Sequence, residues 1–303
     1  MKCSILGFAV FFLVMNLFSL QVSNAQLKGG KIDEDFLKNI VHISIPINNK
    51  IFNGSGFLVW RSTTDKHYGK MFLVTNKHMI GEFNFVDPFI PYDSIIVDFY
   101  SDKTGLPISK TIPISNKSKV LNRHVYLHPK KLVDIAVIEV TDMYNSDSTV
   151  SMKAMDTSFL LKLHSLDNLT LGFGSQVFAV GYPSNFMVVG TNQPIAKSCF
   201  IASSVSGNLK INFPFTDKSG KTVITSPEGA FFLVDGLIIG GNSGGPIVNP
   251  KEMKTRVRDG VLEYLDDVPN LVLGIVSGGV PGTGLTVVYS SNEIMNVIRS
   301  IEN

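Results

Sequence analysis
The sequence predicts an all-β protein, a barrel or sandwich, closed by one helix at its C-terminal end. Three observations carry this. Short runs of β-branched and aromatic residues recur at strand length along the chain. Gly, Pro, Asn, Asp and Ser separate them, as turns between antiparallel strands require. A helical period of apolar residues is clear only in the last segment. The 303 residues, 44% hydrophobic and 17% charged, exclude a disordered, collagen-like or coiled-coil chain and suffice for a large core. The net charge of +2 comes without a clustered basic stripe, so no nucleic-acid partner is expected.

At the N-terminal end, Lys2 precedes an apolar run from Ile5 to about Leu20, and Ser23-Asn24-Ala25 places small residues at −3 and −1 of a cleavage site after Ala25. That is the layout of a secretory signal peptide over residues 1–25. The run is interrupted by Asn16 and falls short of the roughly 20 apolar residues that span a bilayer. An exported, secreted or periplasmic protein is expected, with no stable membrane insertion after cleavage. Cys3 leaves with the signal, so Cys199 remains alone, no intrachain disulfide can form, and a bacterial setting is favoured. Cys199 lies in Ser198-Cys199-Phe200-Ile201-Ala202 and reads as a small buried hydrophobe.

Strand-like runs follow at Gly56–Trp60, Met71–Thr75, Ser94–Tyr100 and Asp134–Val140. The stretch from Thr141 to about Leu171 is polar and irregular, and Gly172-Phe173-Gly174-Ser175 opens a new series. Two β halves, 26–171 and 172–303, are therefore expected. The second holds Gln176–Gly181, Ala230–Val234, Pro246–Val248, Leu271–Ser277 and Leu285–Tyr289, with a charged hairpin inserted between Asn249 and Asn270. Ser290 and Glu293 have capping-box spacing, and Ile294, Val297, Ile298 and Ile301 form one apolar stripe of the closing helix.

Three places carry chemistry. In Gly240-Gly241-Asn242-Ser243-Gly244-Gly245-Pro246, small residues let the backbone fold tightly around one exposed hydroxyl. The N–H groups of Gly241 and Ser243 can point into one hollow and hold an oxygen that becomes negative when an acyl carbon is attacked. A serine hydroxyl needs a base to take its proton. Of six histidines, His78 stands at the end of an apolar strand, anchored yet free at its tip, whereas His67, His124 and His128 lie in polar or turn segments. Asp134 sits in Leu132-Val133-Asp134-Ile135-Ala136-Val137-Ile138, where a carboxylate is costly unless hydrogen-bonded. Holding the far nitrogen of a histidine would satisfy it. Asp98, in Ile96-Val97-Asp98-Phe99, is its competitor.

Taken in order, Thr75-Asn76-Lys77-His78, Asp134-Ile135-Ala136-Val137 and Gly241-Asn242-Ser243-Gly244-Gly245-Pro246 resemble the motifs of the chymotrypsin-like serine peptidases, above all the HtrA-type bacterial branch without its PDZ domain. Gly54-Ser55-Gly56-Phe57-Leu58-Val59 is similar to that branch's first barrel, and Leu273–Gly279 to the strand along which substrate backbone docks. The resemblance implies two six-stranded antiparallel β-barrels, the first with the histidine and aspartate, the second with the nucleophile and the C-terminal helix. It implies Ser243 as nucleophile, His78 as general base and then acid, and Asp134 as the orienting carboxylate. Gly241 and Ser243 would supply the oxyanion hole, while Ser277 and Gly279 would pair with an extended peptide. Leu237, six residues before the serine, would form an apolar pocket floor disfavouring cleavage after Lys or Arg. Asn242 replaces the aspartate that pairs with a newly cut N-terminus in the animal digestive members, so activation of that kind is not expected. Met79 replaces the cysteine that usually follows the histidine.

No histidine follows Ser243, which excludes the Ser–acid–His order of an α/β-hydrolase, and no HExxH motif supports a metallopeptidase. The reading is an exported serine endopeptidase of the trypsin-like class, acting on proteins or peptides through an acyl-enzyme, without cofactor or metal. The alternative is a catalytically silent protease-like module that binds peptide or protein.

Overall fold
The computed structural model describes residues 31–301 except positions 48, 63–68, 102, 147–152, 162–170, 184–192, 206–208, 217–218, 237, 252–254, 259–260, 265–268 and 281. The expected leader and the expected pocket-floor residue Leu237 lie outside the described residues. Ile32–Asn249 together with Asn270–Asn303 forms one compact unit.

The first half of that unit begins with a short helix, α1 (Glu34–Leu37), and continues through β1 (Ile40–Ile47), β2 (Lys50–Ser62) and β3 (Gly69–Thr75). After the one-turn 3₁₀ helix Lys77–Met79 come β4 (Gly81–Glu82), β5 (Ile90–Pro91), β6 (Ser94–Tyr100), β7 (Pro107–Pro113), β8 (Val125–Leu127) and β9 (Ala136–Glu139). Helix α2 (Thr141–Ser146) and β10 (Met155–Asp156) complete it. The main sheet runs β7-β6-β1-β2-β3-β9-β8, with β10 parallel against β2. Among the described residues this sheet, which surrounds a core, is not closed by hydrogen bonds. Its edges explain why: β8 has three residues, and Pro107 and Pro113 sit at the two ends of β7, where a proline offers no ladder N–H.

The second half does close. Strands β11 (Gln176–Gly181), β12 (Ile195–Ile201), β15 (Phe231–Asp235), β16 (Pro246–Val248), β19 (Val272–Gly279) and β20 (Leu285–Ser290) form a six-stranded barrel in the order β11-β12-β15-β20-β19-β16. A separate hairpin joins β13 (Phe213–Thr216) to β14 (Thr222–Thr225). The all-β architecture, with a curled sheet, a closed barrel and a terminal helix, fits a chymotrypsin-like double barrel. The other compact unit includes Lys31 and Pro250–Pro269. Within it β17 (Thr255–Arg258) pairs antiparallel with β18 (Val261–Tyr264), the hairpin expected from the charged insertion.

Alternation explains how the central strands bury both faces. Along β2, β3 and β9, Phe57, Val59, Phe72, Val74 and Val137 enter one core, while Leu58, Met71, Leu73, Ala136 and Ile138 enter another. The second core lies inside the curled sheet with Val97, Phe99 and Ile112. The first also takes Val180, Phe231, Ile275 and Tyr289 from the barrel and Ile294, Val297 and Ile298 from the terminal helix, so one apolar layer joins both sheets. Runs such as Met71–Val74 therefore read as continuously apolar rather than alternating.

The terminal helix, α3 (Ser291–Ser300), starts where expected. Ser290 is its N-cap, accepting from the N–H of Asn292 at 3.3 Å. Glu293 holds the position from which a capping box would reach back, but its carboxylate is drawn into the core instead. It accepts from the N–H of Ala230 at 2.6 Å and from Asn296 at 2.8 Å, and meets His128 Nε2 at 2.9 Å. Burial opposes the charge on Glu293, yet these bonds prevail and bring its pKa down to about 2 from the ordinary 4.5. A carboxylate held down in the fold contributes stability that is present above pH 4.5 and lost as pH falls toward 2. In urea unfolding, the stability gap between wild type and Glu293→Gln is thus expected to be full at pH 6 and to shrink through that window. A gap constant with pH would contradict this.

Candidate active site
The strand β3 ends at Thr75, and the next three residues grip one loop from three points. Asn76, extended and fully buried, donates from Nδ2 to the carbonyl of Asp134 at 2.7 Å. Lys77, only 3% exposed, donates from Nζ to the carbonyls of His128, Lys130 and Lys131 at 3.3, 3.1 and 3.1 Å, with the Phe83 ring 5.6 Å away. Burial pulls the lysine's pKa down to about 8, against the charges of Asp134 and Glu228, which favour its protonated form. His78 donates its own backbone N–H to Asp134 Oδ1 at 3.1 Å. His78 is thus held in a 3₁₀ turn one step beyond the strand, and Asp134 lies just before β9 rather than inside it.

Asp134 is 1% exposed and fully engaged. Its Oδ2 lies 2.7 Å from His78 Nδ1 and accepts from the Ser277 hydroxyl at 2.7 Å. An ionised carboxylate only accepts, so the proton of the neutral imidazole is assigned to Nδ1, leaving a lone pair on Nε2. Burial acts to lower the pKa of His78, but the charge of Asp134 and the hydrogen bond to it outweigh burial and raise it above 6.5. The ring retains 30% exposure and borders a cleft of about 280 Å³ lined also by Glu82, Phe83, Asn84, Asp87 and Tyr92.

Ser243 stands in a loop that only glycine permits. Gly241 and Gly244 have φ of 97° and 84°, the left-handed region. A Cβ on Gly244 would lie 2.0 Å from the carbonyl oxygen of Ser55 and 2.5 Å from Thr75 Oγ1, so the loop presses against β2 and β3. Gly244 N–H donates to the Val276 carbonyl and Val276 N–H to the Gly245 carbonyl, each at 2.9 Å, stitching the loop to β19. Among the described residues no acceptor is recorded for the N–H of Gly241 or of Ser243. The Ser243 hydroxyl donates to the carbonyl of Ser277 at 3.2 Å and makes no hydrogen bond to His78. Asn242 stays within its loop, donating from Nδ2 to the Ile239 carbonyl at 3.3 Å.

Ser277 therefore has a second attachment that the sequence reading missed: its hydroxyl bonds to Asp134. Its register in β19 shifts between Val276 and Gly278, the bulge that lets hydroxyl and carbonyl address Asp134 and Ser243 at once. Beyond it, Gly278 and Gly279 are exposed and pair with β20, while the pairing of β16 stops at Pro246 opposite Ile275. Among the described residues no strand covers the other edge of Gly278–Gly279.

The competitor carboxylate also holds an imidazole. Asp98 Oδ2 lies 2.9 Å from His42 Nδ1, and Asp98 Oδ1 accepts from Ser109 at 2.5 Å. These are cross-strand neighbours on β1, β6 and β7, and His42 is 3% exposed, closed to substrate. Cys199 is 1% exposed, and burial pushes its thiol up to about 12, in keeping with an inert core residue.

No family model matches the sequence, and no curated protein does. Solved structures do match. The active form of the Rv3671c protease from M. tuberculosis is 16% identical, with a TM-score of 0.47 over 88% of this chain and 82% of that one. Its inactive form gives 0.44 at 16% identity, over 88% and 91%. The serine endoprotease from Yersinia pestis gives 0.46 at 15% identity, over 88% of this chain and 64% of that one.

Proposed function
We propose that the protein is an exported serine endopeptidase that cleaves proteins or peptides through an acyl-enzyme. The observation that supports this most directly is the buried carboxylate of Asp134, which fixes His78 by ring and backbone at 2.7 and 3.1 Å and is tied through Ser277 to the loop of Ser243. On this reading a peptide adds as a strand along Ser277–Gly279 and places its carbonyl beside Ser243. The Ser243 hydroxyl turns from the Ser277 carbonyl to His78, whose Nε2 takes its proton as Oγ attacks. The N–H groups of Gly241 and Ser243 receive the oxyanion. His78 then protonates the leaving amine, and water repeats the sequence to release the acid. No metal or cofactor enters these steps, and export follows from the leader-like first 25 residues.

A silent binding module is the second reading, favoured by the 3.2 Å bond that engages the Ser243 hydroxyl away from His78. Treating the protein from residue 26 onward with a fluorophosphonate separates the two. The expected result is one covalent adduct, mapped by peptide mass to Ser243. A folded protein that takes up no probe, or takes it up elsewhere, would overturn the peptidase reading.

A further inference from the structure
We infer that Ser55, on β2, is a positioning residue that sets the orientation of the loop donors around Ser243, an inference that rests on the peptidase reading above. Ser55 is fully buried and meets the loop by side chain and backbone. Its hydroxyl donates to the Gly241 carbonyl at 2.7 Å, and its N–H donates to the Ser243 carbonyl at 2.8 Å. Its own carbonyl accepts from Thr75 Oγ1 at 2.9 Å and lies against Gly244.

The direction of the hydroxyl is determined by a third group. The N–H of Tyr182 donates to Ser55 Oγ at 2.8 Å, occupying a lone pair and leaving the single hydroxyl proton for Gly241. The peptide unit between Gly241 and Asn242 is then held firmly on its oxygen side. On its nitrogen side it has only the 3.3 Å bond from Asn242 N–H to the Ile239 carbonyl. That unit links the peptide bearing the N–H of Gly241 to the one bearing the N–H of Ser243, so holding its carbonyl restrains ψ of Gly241 and φ of Asn242, two of the torsions that fix one donor relative to the other. Gly241, at φ 97°, has no Cβ to resist such a rotation, and the hydroxyl of Ser55 supplies the restraint. A Cβ on Gly181 would stand 2.6 Å from Ser55 Oγ and 3.0 Å from Asn242 Oδ1, so the absence of a side chain at Gly181 is what leaves room for the hydroxyl.

The test compares wild type, Ser55→Ala and Ser55→Cys, the thiol being a weaker donor. Two rates are measured on protein shown by circular dichroism to be folded: fluorophosphonate labelling of Ser243, and carbethoxylation of His78 by diethyl pyrocarbonate. Phosphonylation develops charge on an oxygen that needs aligned donors, whereas carbethoxylation needs only the exposed ring. Labelling is expected to fall in the order Ser, Cys, Ala, with the alanine variant on the order of 10–100-fold slow, below the loss from deleting an oxyanion donor outright. Carbethoxylation of His78 should stay within about twofold, since neither its exposure nor its carboxylate changes. Equal labelling of wild type and both variants would overturn the role of Ser55 and leave the peptidase reading intact. Both rates falling together would also overturn it, by showing a general loosening. Absence of labelling in wild type would sink the peptidase reading, and this inference with it.

Discussion

Replacing Ser243 by alanine is expected to lower peptide hydrolysis on the order of 10⁶-fold while leaving the fold intact. The size of the effect is that of removing a nucleophile, and the survival of the fold follows from how little the hydroxyl holds. Ser243 Oγ makes one bond, to the Ser277 carbonyl at 3.2 Å, whereas the loop around it is held by backbone contacts that alanine keeps: Ser243 carbonyl to Ser55 N–H, and Gly244 N–H to Val276. The Ser277 carbonyl loses one weak donor, at 3.2 Å, a small cost. Unfolding curves for the two proteins should therefore nearly coincide. A denatured protein substrate, assayed by release of acid-soluble peptides, gives the first number, and urea unfolding the second. Retention of more than about a hundredth of the activity would show that another group is the nucleophile.

Changing Asp134 to asparagine comes next, with an expected loss of about 10⁴-fold in turnover near neutral pH. Asparagine can offer its oxygen to the backbone N–H of His78, but its amide nitrogen then faces His78 Nδ1 and Ser277 Oγ, where Oδ2 of the carboxylate now only accepts. The imidazole is driven to the tautomer with its proton on Nε2, the wrong side for receiving one from Ser243. The pH profile should move as well. In the wild type the carboxylate raises the pKa of His78 above 6.5 against the effect of burial, so on the peptidase reading activity should rise as pH passes through that value. Without that charge burial prevails, and the residual activity of the variant should reach its plateau at lower pH. A profile that loses height without moving would mean that Asp134 only holds the loop in place.

Much of the candidate site was legible in the sequence as a set of residues, and the contacts that were not legible share a cause. His78, Asp134 and the glycine loop announced themselves because each is chemically out of keeping with its neighbours: a titratable ring at a strand end, a carboxylate among apolar residues, a serine among glycines. The closing helix was legible down to its N-cap, and the inserted hairpin appeared in its place. Contacts between strands distant in the chain were not legible. Nothing local to Ser55 indicates that it binds Gly241, 186 positions away, or that Ser277 completes the shell of Asp134 from 143 positions away. Glu293 shows the same limit from the other side, since its local spacing suggested a capping box, but Ala230 and His128 took its carboxylate into the core. Lys77 could have been noticed, because a lysine directly after a buried strand has to find acceptors or leave. The edge strand β7, bounded by Pro107 and Pro113, was absent from the runs read from the sequence, because its residues alternate between exposed and at least half-buried positions and offer little apolar signal.

The three-point grip of Asn76, Lys77 and His78 on the loop from His128 to Asp134 has a kinematic meaning. His78 and Asp134 are held to each other and to that loop by side chain and backbone together, so a shift of the loop draws on both. The serine belongs to another piece, a glycine ribbon whose shape depends on a few hydrogen bonds to β2 and β19. A molecule divided in this way has a fixed jaw and an adjustable one. On the peptidase reading, small rotations of the ribbon alone would grade the activity, with His78 and Asp134 kept in register throughout.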